Sequence, residues 1–128
     1  MRLLLDTHVF LWAIAEQSRL SDRVRGWLED ADNEAWVSMA SIWEIAIKAG
    51  LGQLDLPTDL CRFLATQLAD SSFKVLPIGF EHAVAVRDLP MHHRDPFDRV
   101  LIAQSRVERL ALISHDARMT AYQVEVLW

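Results

Sequence analysis

Only one cysteine, Cys61, occurs among the 128 residues, which excludes an internal disulfide and fits a core-stabilised domain in the cytoplasm. Long apolar runs are missing too. The strongest candidate, near the N-terminus, is broken by Asp6 and His8, and no small-residue cleavage site follows. It reads as a buried strand and a helix. Nothing approaches the ~20 apolar residues that span a bilayer, so no membrane association is expected. A basic surplus is also lacking: 13 Lys and Arg face 18 Asp and Glu, for a net charge of −5. That argues against broad, tight nucleic-acid binding, but not against an enzyme that meets RNA locally through a few arginines. Repeats, linkers and low-complexity segments are absent. What is present is 52% hydrophobic residues, enough to fill one core, and a single domain over residues 1–128 is expected.

Apolar runs alternate with helical segments along the chain. Arg2–Asp6, Ala35–Ser38, Phe73–Ile78, Leu110–Ser114 and Val124–Leu127 read as strands. Thr7–Glu16, Asp22–Asp30 after a Ser21 cap, and Ala40–Ala49 closed by Gly50 and Gly52 read as helices. A further helix follows a Thr58 cap, and Phe80–Asp88 and Asp95–Arg109 complete the set. The alternation predicts an α/β fold, with a mostly parallel central sheet and helices on both faces.

Two strands end alike, Leu3–Leu4–Leu5 in Asp6 and Leu112–Ile113–Ser114–His115 in Asp116. Ligands of open parallel sheets bind beyond the carboxyl ends of the strands, so parallel strands would put both acids on one rim. Each acid could equally cap the helix that follows it. Asp98 sits three residues past an Asp95 cap with Pro96 between, which resembles a capping box. It nevertheless shares a face with Leu101, Ile102 and Ser105, and an acid beside a buried stripe needs a partner. Glu44, four residues before Lys48 and on a face with Ala40, Ser41 and Ile47, reads locally as a surface glutamate.

Together, Leu3–His8, Ser38–Lys48, Arg94–Gln104 and Leu112–Asp116 resemble, in order and spacing, the PIN-domain ribonucleases, and within them the VapC-like toxins of toxin–antitoxin pairs. No one segment is specific; all of them in order are. The resemblance implies a three-layer PIN-like fold and a catalytic, metal-holding set of Asp6, Glu44, Asp98 and Asp116. Thr7 and Ser114 would support it, and Asp95 would be an outer acid or simply the helix cap. It implies an endoribonuclease that hydrolyses phosphodiesters with a metal-activated water, leaving a 5′-phosphate and a 3′-hydroxyl. Two carboxylates ~4 Å apart at an effective dielectric of ~20 repel by about 4 kcal/mol, so the cluster calls for a cation. All-oxygen ligands favour Mg²⁺ or Mn²⁺ over zinc. The implied partners are an RNA substrate (transfer, ribosomal or messenger), a cognate antitoxin, and a second copy in a homodimer or higher toxin–antitoxin assembly.

Arg94, Arg99 and Arg118 flank the acids and are candidates for RNA phosphates, Arg99 foremost because it adjoins Asp98. His92 and His93 read as polar loop residues before a helix cap. Of five tryptophans, most are expected in the core. An interface is expected from the Thr7–Glu16, Asp22–Asp30 and Ala40–Ala49 helices, for the excess apolar surface around Trp12, Trp27 and Trp43. Two other functions compete. A receiver-like Mg²⁺-binding phosphoacceptor domain would need a lysine after a late strand, yet only Lys48 and Lys74 occur. An inactive PIN-like interaction module would not need intact acids.

Overall fold

Leu3, Leu4 and Leu5 are all fully buried, as a central strand of a parallel sheet requires. In the computed structural model, which describes all 128 residues, they belong to β1 (Arg2–Leu5), the middle of a five-stranded sheet. The other strands are β2 (Glu34–Ser38), β3 (Lys74–Leu76), β4 (Ala111–Ile113) and β5 (Val126–Leu127). Their order is β3-β2-β1-β4-β5 and every pairing is parallel. The helices are α1 (Thr7–Ala15), α2 (Asp22–Glu29), α3 (Met39–Gly50), α4 (Leu60–Asp70), α5 (Phe80–Ala85) and α6 (Pro96–Glu108).

Successive strand side chains point to opposite faces, and this divides the apolar residues into two cores. Leu3 and Leu5, with Val37, Ala111 and Ile113, meet Val9, Phe10, Val24, Ile45 and Leu64 from α1 to α4. Leu4 and Leu112 meet Leu101, Ile102 and Ala103 of α6, with Met119 and Tyr122 behind them. The result is the expected three-layer α/β architecture. The chain winds from β1 outward to β3, then returns to the other side of β1 as β4. The strand order therefore reverses beside β1, and the crevice at such a reversal is where doubly wound sheets bind ligands.

Local expectations differ from the structure in several places. The α4 cap is Asp59, whose Oδ1 accepts from Arg62 N at 3.2 Å, not Thr58. The segment after α5 tightens into a 3₁₀ turn at Val86–Asp88. No tryptophan is fully buried; Trp43 is 60% exposed, and Trp12 and Trp27 are half-buried beneath the guanidinium groups of Arg19 and Arg23. Exposed large apolar side chains lie on and just after α3, at Met39, Trp43, Ile47 and Leu51, and on and around α5, at Ile78, Phe80, Val84 and Met91, but not on α1 or α2. Between α3 and α4 runs a wholly apolar groove of about 440 Å³ lined by Met39, Ile42, Leu60, Leu64 and neighbours.

Candidate active site

Asp6 follows β1 directly and Asp116 lies just beyond β4, so parallel pairing of the two strands brings both to one rim. Asp6 does two things at once. Its Oδ1 caps α1 by accepting from Val9 N at 2.8 Å, while Oδ2 accepts the Ser114 hydroxyl proton. The Ser114 oxygen in turn accepts from Asp116 N at 3.1 Å, so one hydroxyl ties the two acids together. Capping and site membership are thus compatible at Asp6. At Asp116 the same holds, with Oδ1 accepting from Arg118 N at 3.0 Å.

Glu44 is buried, against the local reading of a surface glutamate. Its α3 face is Ala40, Ser41 and Ile45, while Ile47 points outward. Glu44 Oε1 accepts from Thr7 Oγ1 at 2.7 Å, and Oε2 pairs with Lys48 Nζ at 2.7 Å. Thr7 Oγ1 also lies 2.9 Å from Ser41 Oγ. A hydroxyl has one proton, so Thr7 gives it to the carboxylate and accepts from Ser41. The chain reversal after β1 thereby draws Glu44 to the Asp6 rim.

Asp98 has no side-chain hydrogen bond of its own. The capping box is not closed: Asp95 Oδ1 accepts from Phe97 N at 2.8 Å and Asp98 N at 3.4 Å, with nothing returned by Asp98. Burial pushes the Asp98 carboxyl up to about 6, and the charges of Asp95, Glu44 and Asp6 push the same way. Burial also raises Asp6, with Asp116 adding to it and the Ser114 and Val9 bonds opposing. Asp116 is the exception. Its hydrogen bonds with Arg118, helped by His93, hold it well below the ordinary carboxylate range. The four acids thus act on one another electrostatically, from four separate segments of the chain.

A comparison with family models matches residues 3–125 to the PIN domain. The chain belongs to the PIN-domain family. Among solved structures, this PIN domain superposes on VapBC2 from Rickettsia felis bound to a promoter DNA fragment, with a TM-score of 0.74 at 12% identity over 99% of this chain and 98% of that one. It also superposes on DNA-bound VapBC from Salmonella typhimurium, with a TM-score of 0.71 at 14% identity over 99% and 97%. FitAcB from Neisseria gonorrhoeae gives a TM-score of 0.64 at 20% identity over 98% and 96%. No curated protein matches the chain. PIN domains are nucleases that use divalent metal ions. Family membership removes the receiver-like reading, and the β4 strand is indeed followed by Ser114 and His115, not by lysine.

The donor set of this PIN domain suits a hard cation. Asp6, Glu44, Asp98 and Asp116 offer only oxygen, and Asp98 has no side-chain hydrogen-bond partner. As the side chains stand, no three His, Cys, Asp or Glu groups already close on one point. The flanking arginines divide. Arg94 is exposed and Arg118 reaches Asp116 with its side chain still 69% exposed. Arg99, the expected RNA contact, is buried, and its guanidinium donates to the carbonyls of Pro90, Val86 and Leu89 at 2.8–3.2 Å. It pins the loop before α6 and has no reach to a phosphate.

His93, read as a polar loop residue, is buried, with Nε2 3.1 Å from Asp116 Oδ2 and Nδ1 3.0 Å from the Tyr122 hydroxyl. Both partners lie more than twenty residues away in sequence, so no local pattern signals the contact. Ser41 was missed for the same reason.

Proposed function

We propose that this PIN domain is a divalent-metal-dependent endoribonuclease and the toxin of a toxin–antitoxin pair. The observation that supports the reading is the Ser114 hydroxyl, which ties Asp6 to Asp116 at the ends of two paired strands; Glu44, bonded to Thr7, and Asp98, which has no side-chain partner, would complete the set. These four acids would hold the cation. Mg²⁺ or Mn²⁺ bound there supplies charge neutralisation, polarisation of a phosphate oxygen and an activated water. The chain's own groups prepare the site. Ser114 fixes Asp6, Thr7 fixes Glu44, and Asp95 holds the start of α6 so that Asp98 projects from its first turn. Arg118 and Arg94 are available to meet RNA phosphates, and the products carry a 5′-phosphate and a 3′-hydroxyl.

Among the fold neighbours are a toxin–antitoxin complex from Klebsiella pneumoniae and a member of the VapBC family of toxin–antitoxin systems from Mycobacterium tuberculosis, and an antitoxin is the partner we infer here. The apolar groove between α3 and α4, with Trp43 and Met39 exposed beside it, offers the unsatisfied surface that an antitoxin or a second copy would cover. No helix is long and apolar enough to cross a membrane. The test is cleavage of end-labelled RNA with Mg²⁺ or Mn²⁺ and with EDTA. Cleavage with metal, lost with EDTA, is expected; undiminished cleavage in EDTA contradicts the proposal.

A further inference from the structure

We propose that His93 is a positioning residue, held from behind by Tyr122, that sets the orientation of the Asp116 carboxylate. The proposal rests on Asp116 being one of the cation's ligands. Asp116 is held from two unequal sides. Arg118 lies on the outside, on the same short turn, with its side chain 69% exposed. It holds both carboxylate oxygens, at 3.0 and 2.8 Å, but its solvated side chain can also swing to a substrate phosphate. His93 lies on the inside, with its side chain only 2% exposed.

The hydrogen bond to Asp116 has a determined direction. A carboxylate only accepts, so His93 Nε2 carries the proton it donates to Asp116 Oδ2, 3.1 Å away. The Tyr122 hydroxyl, which can donate or accept, holds Nδ1 from behind at 3.0 Å. The far hydrogen bond thereby fixes the ring orientation that the near one needs. Packing fixes the ring as well. Tyr122 is 1% exposed, its ring centroid lies 5.4 Å from that of His93, and His92 meets it edge-on at 4.9 Å. With Ser114 accepting from the Asp116 backbone N–H at 3.1 Å, main chain and carboxylate are each held by a buried group. Such a partner behind a metal-binding carboxylate is worth roughly 10–100-fold in metal affinity.

The experiment measures Mn²⁺ binding by electron paramagnetic resonance, without RNA, on the wild-type chain and on His93→Leu, His93→Gln and Tyr122→Phe. His93→Leu should bind Mn²⁺ roughly 10–100-fold more weakly. His93→Gln should recover most of that loss, because its amide N–H stands where the imidazole N–H stands. A role in packing alone would make the two variants alike. Tyr122→Phe, which keeps the ring but not the hydroxyl, should also weaken binding. Wild-type affinity in a folded His93→Leu, or no recovery in His93→Gln, overturns the proposal. If His93→Leu does not fold, Tyr122→Phe decides, and unchanged affinity there overturns it. A wild-type chain that binds no Mn²⁺ overturns the metal-dependent function as well, whereas variant-insensitive binding removes the positioning role alone.

Discussion

The Thr7 hydroxyl stands 2.7 Å from Glu44 Oε1, joining the first residue of α1 to the middle of α3. This one contact converts a helix residue with no local mark of function into a member of the site. Thr7→Val keeps the shape and removes the proton donor. It should destabilise the chain by about 1–3 kcal/mol, since a buried carboxylate oxygen loses its partner. Thr7→Ser should restore most of that. Urea unfolding of the variants measures both, and equal stability of Thr7→Val and wild type would refute the contact's importance.

Asp98 predicts a pH dependence with a definite sign. Its carboxyl rises from an ordinary 3.8 to about 6 on folding, so the native state holds a proton that the unfolded chain has released between those values. Metal-free stability should therefore fall as pH rises from about 4 to about 6. Asp98→Asn should flatten that slope and stabilise the metal-free protein at pH 7 by on the order of 1 kcal/mol, with solvent screening allowed for. Added Mn²⁺ should raise the melting temperature of wild type and not of Asp98→Asn. Thermal melts across pH, with and without Mn²⁺, check all of it.

Arg99 and Arg118 should behave in opposite ways. Arg99→Lys loses the planar fork that serves three carbonyls and should cost about 2–4 kcal/mol of stability. Its RNA affinity, measured in an Asp98→Asn background, should be unchanged when the variant is folded. Arg118→Ala should leave stability nearly unchanged and weaken RNA binding with a shallower salt dependence. The reverse pattern would contradict the assignment of the two arginines.

The exposed face of α3 should govern association. Ile47 is 40% exposed, so Ile47→Lys should change stability by no more than about 0.5 kcal/mol. Sedimentation at micromolar concentration should nevertheless show a dimer for wild type and a shift toward monomer for the variant. A wild-type monomer that also ignores its antitoxin would contradict the interface.

The parts of this molecule readable from sequence are those set by local period and strand ends. Leu3–Leu4–Leu5 before Asp6 announces a central strand, and the matching run before Asp116 announces its neighbour, so one rim with two acids follows from alternation alone. Glu44 was legible only through the family pattern; its spacing to Lys48 suggests the surface, and its buried partner Thr7 lies thirty-seven residues away. Arg99 misled because adjacency along a helix is not adjacency in space: Asp98 faces the rim, and Arg99, turned to the loop at 86–90, meets carbonyls. Trp12 and Trp27 misled because an apolar ring on a helix suggests an interface, whereas here Arg19 and Arg23 lie over them. His93 has no local signal, since both its partners come from the turn after β4.

The most direct measurement of the central claim is RNA cleavage by Asp6→Asn in Mg²⁺ or Mn²⁺. Asparagine caps a helix as well as aspartate does, so Val9 keeps its acceptor and the fold should persist within about 1 kcal/mol. The charge is lost, and the Ser114 hydroxyl, which donated to Oδ2, must instead accept from the new amide group. If Asp6 serves the cation, cleavage and growth inhibition should both be abolished while circular dichroism and the melting temperature stay near wild type. Wild-type rates of cleavage by a folded Asp6→Asn would contradict the account at its centre.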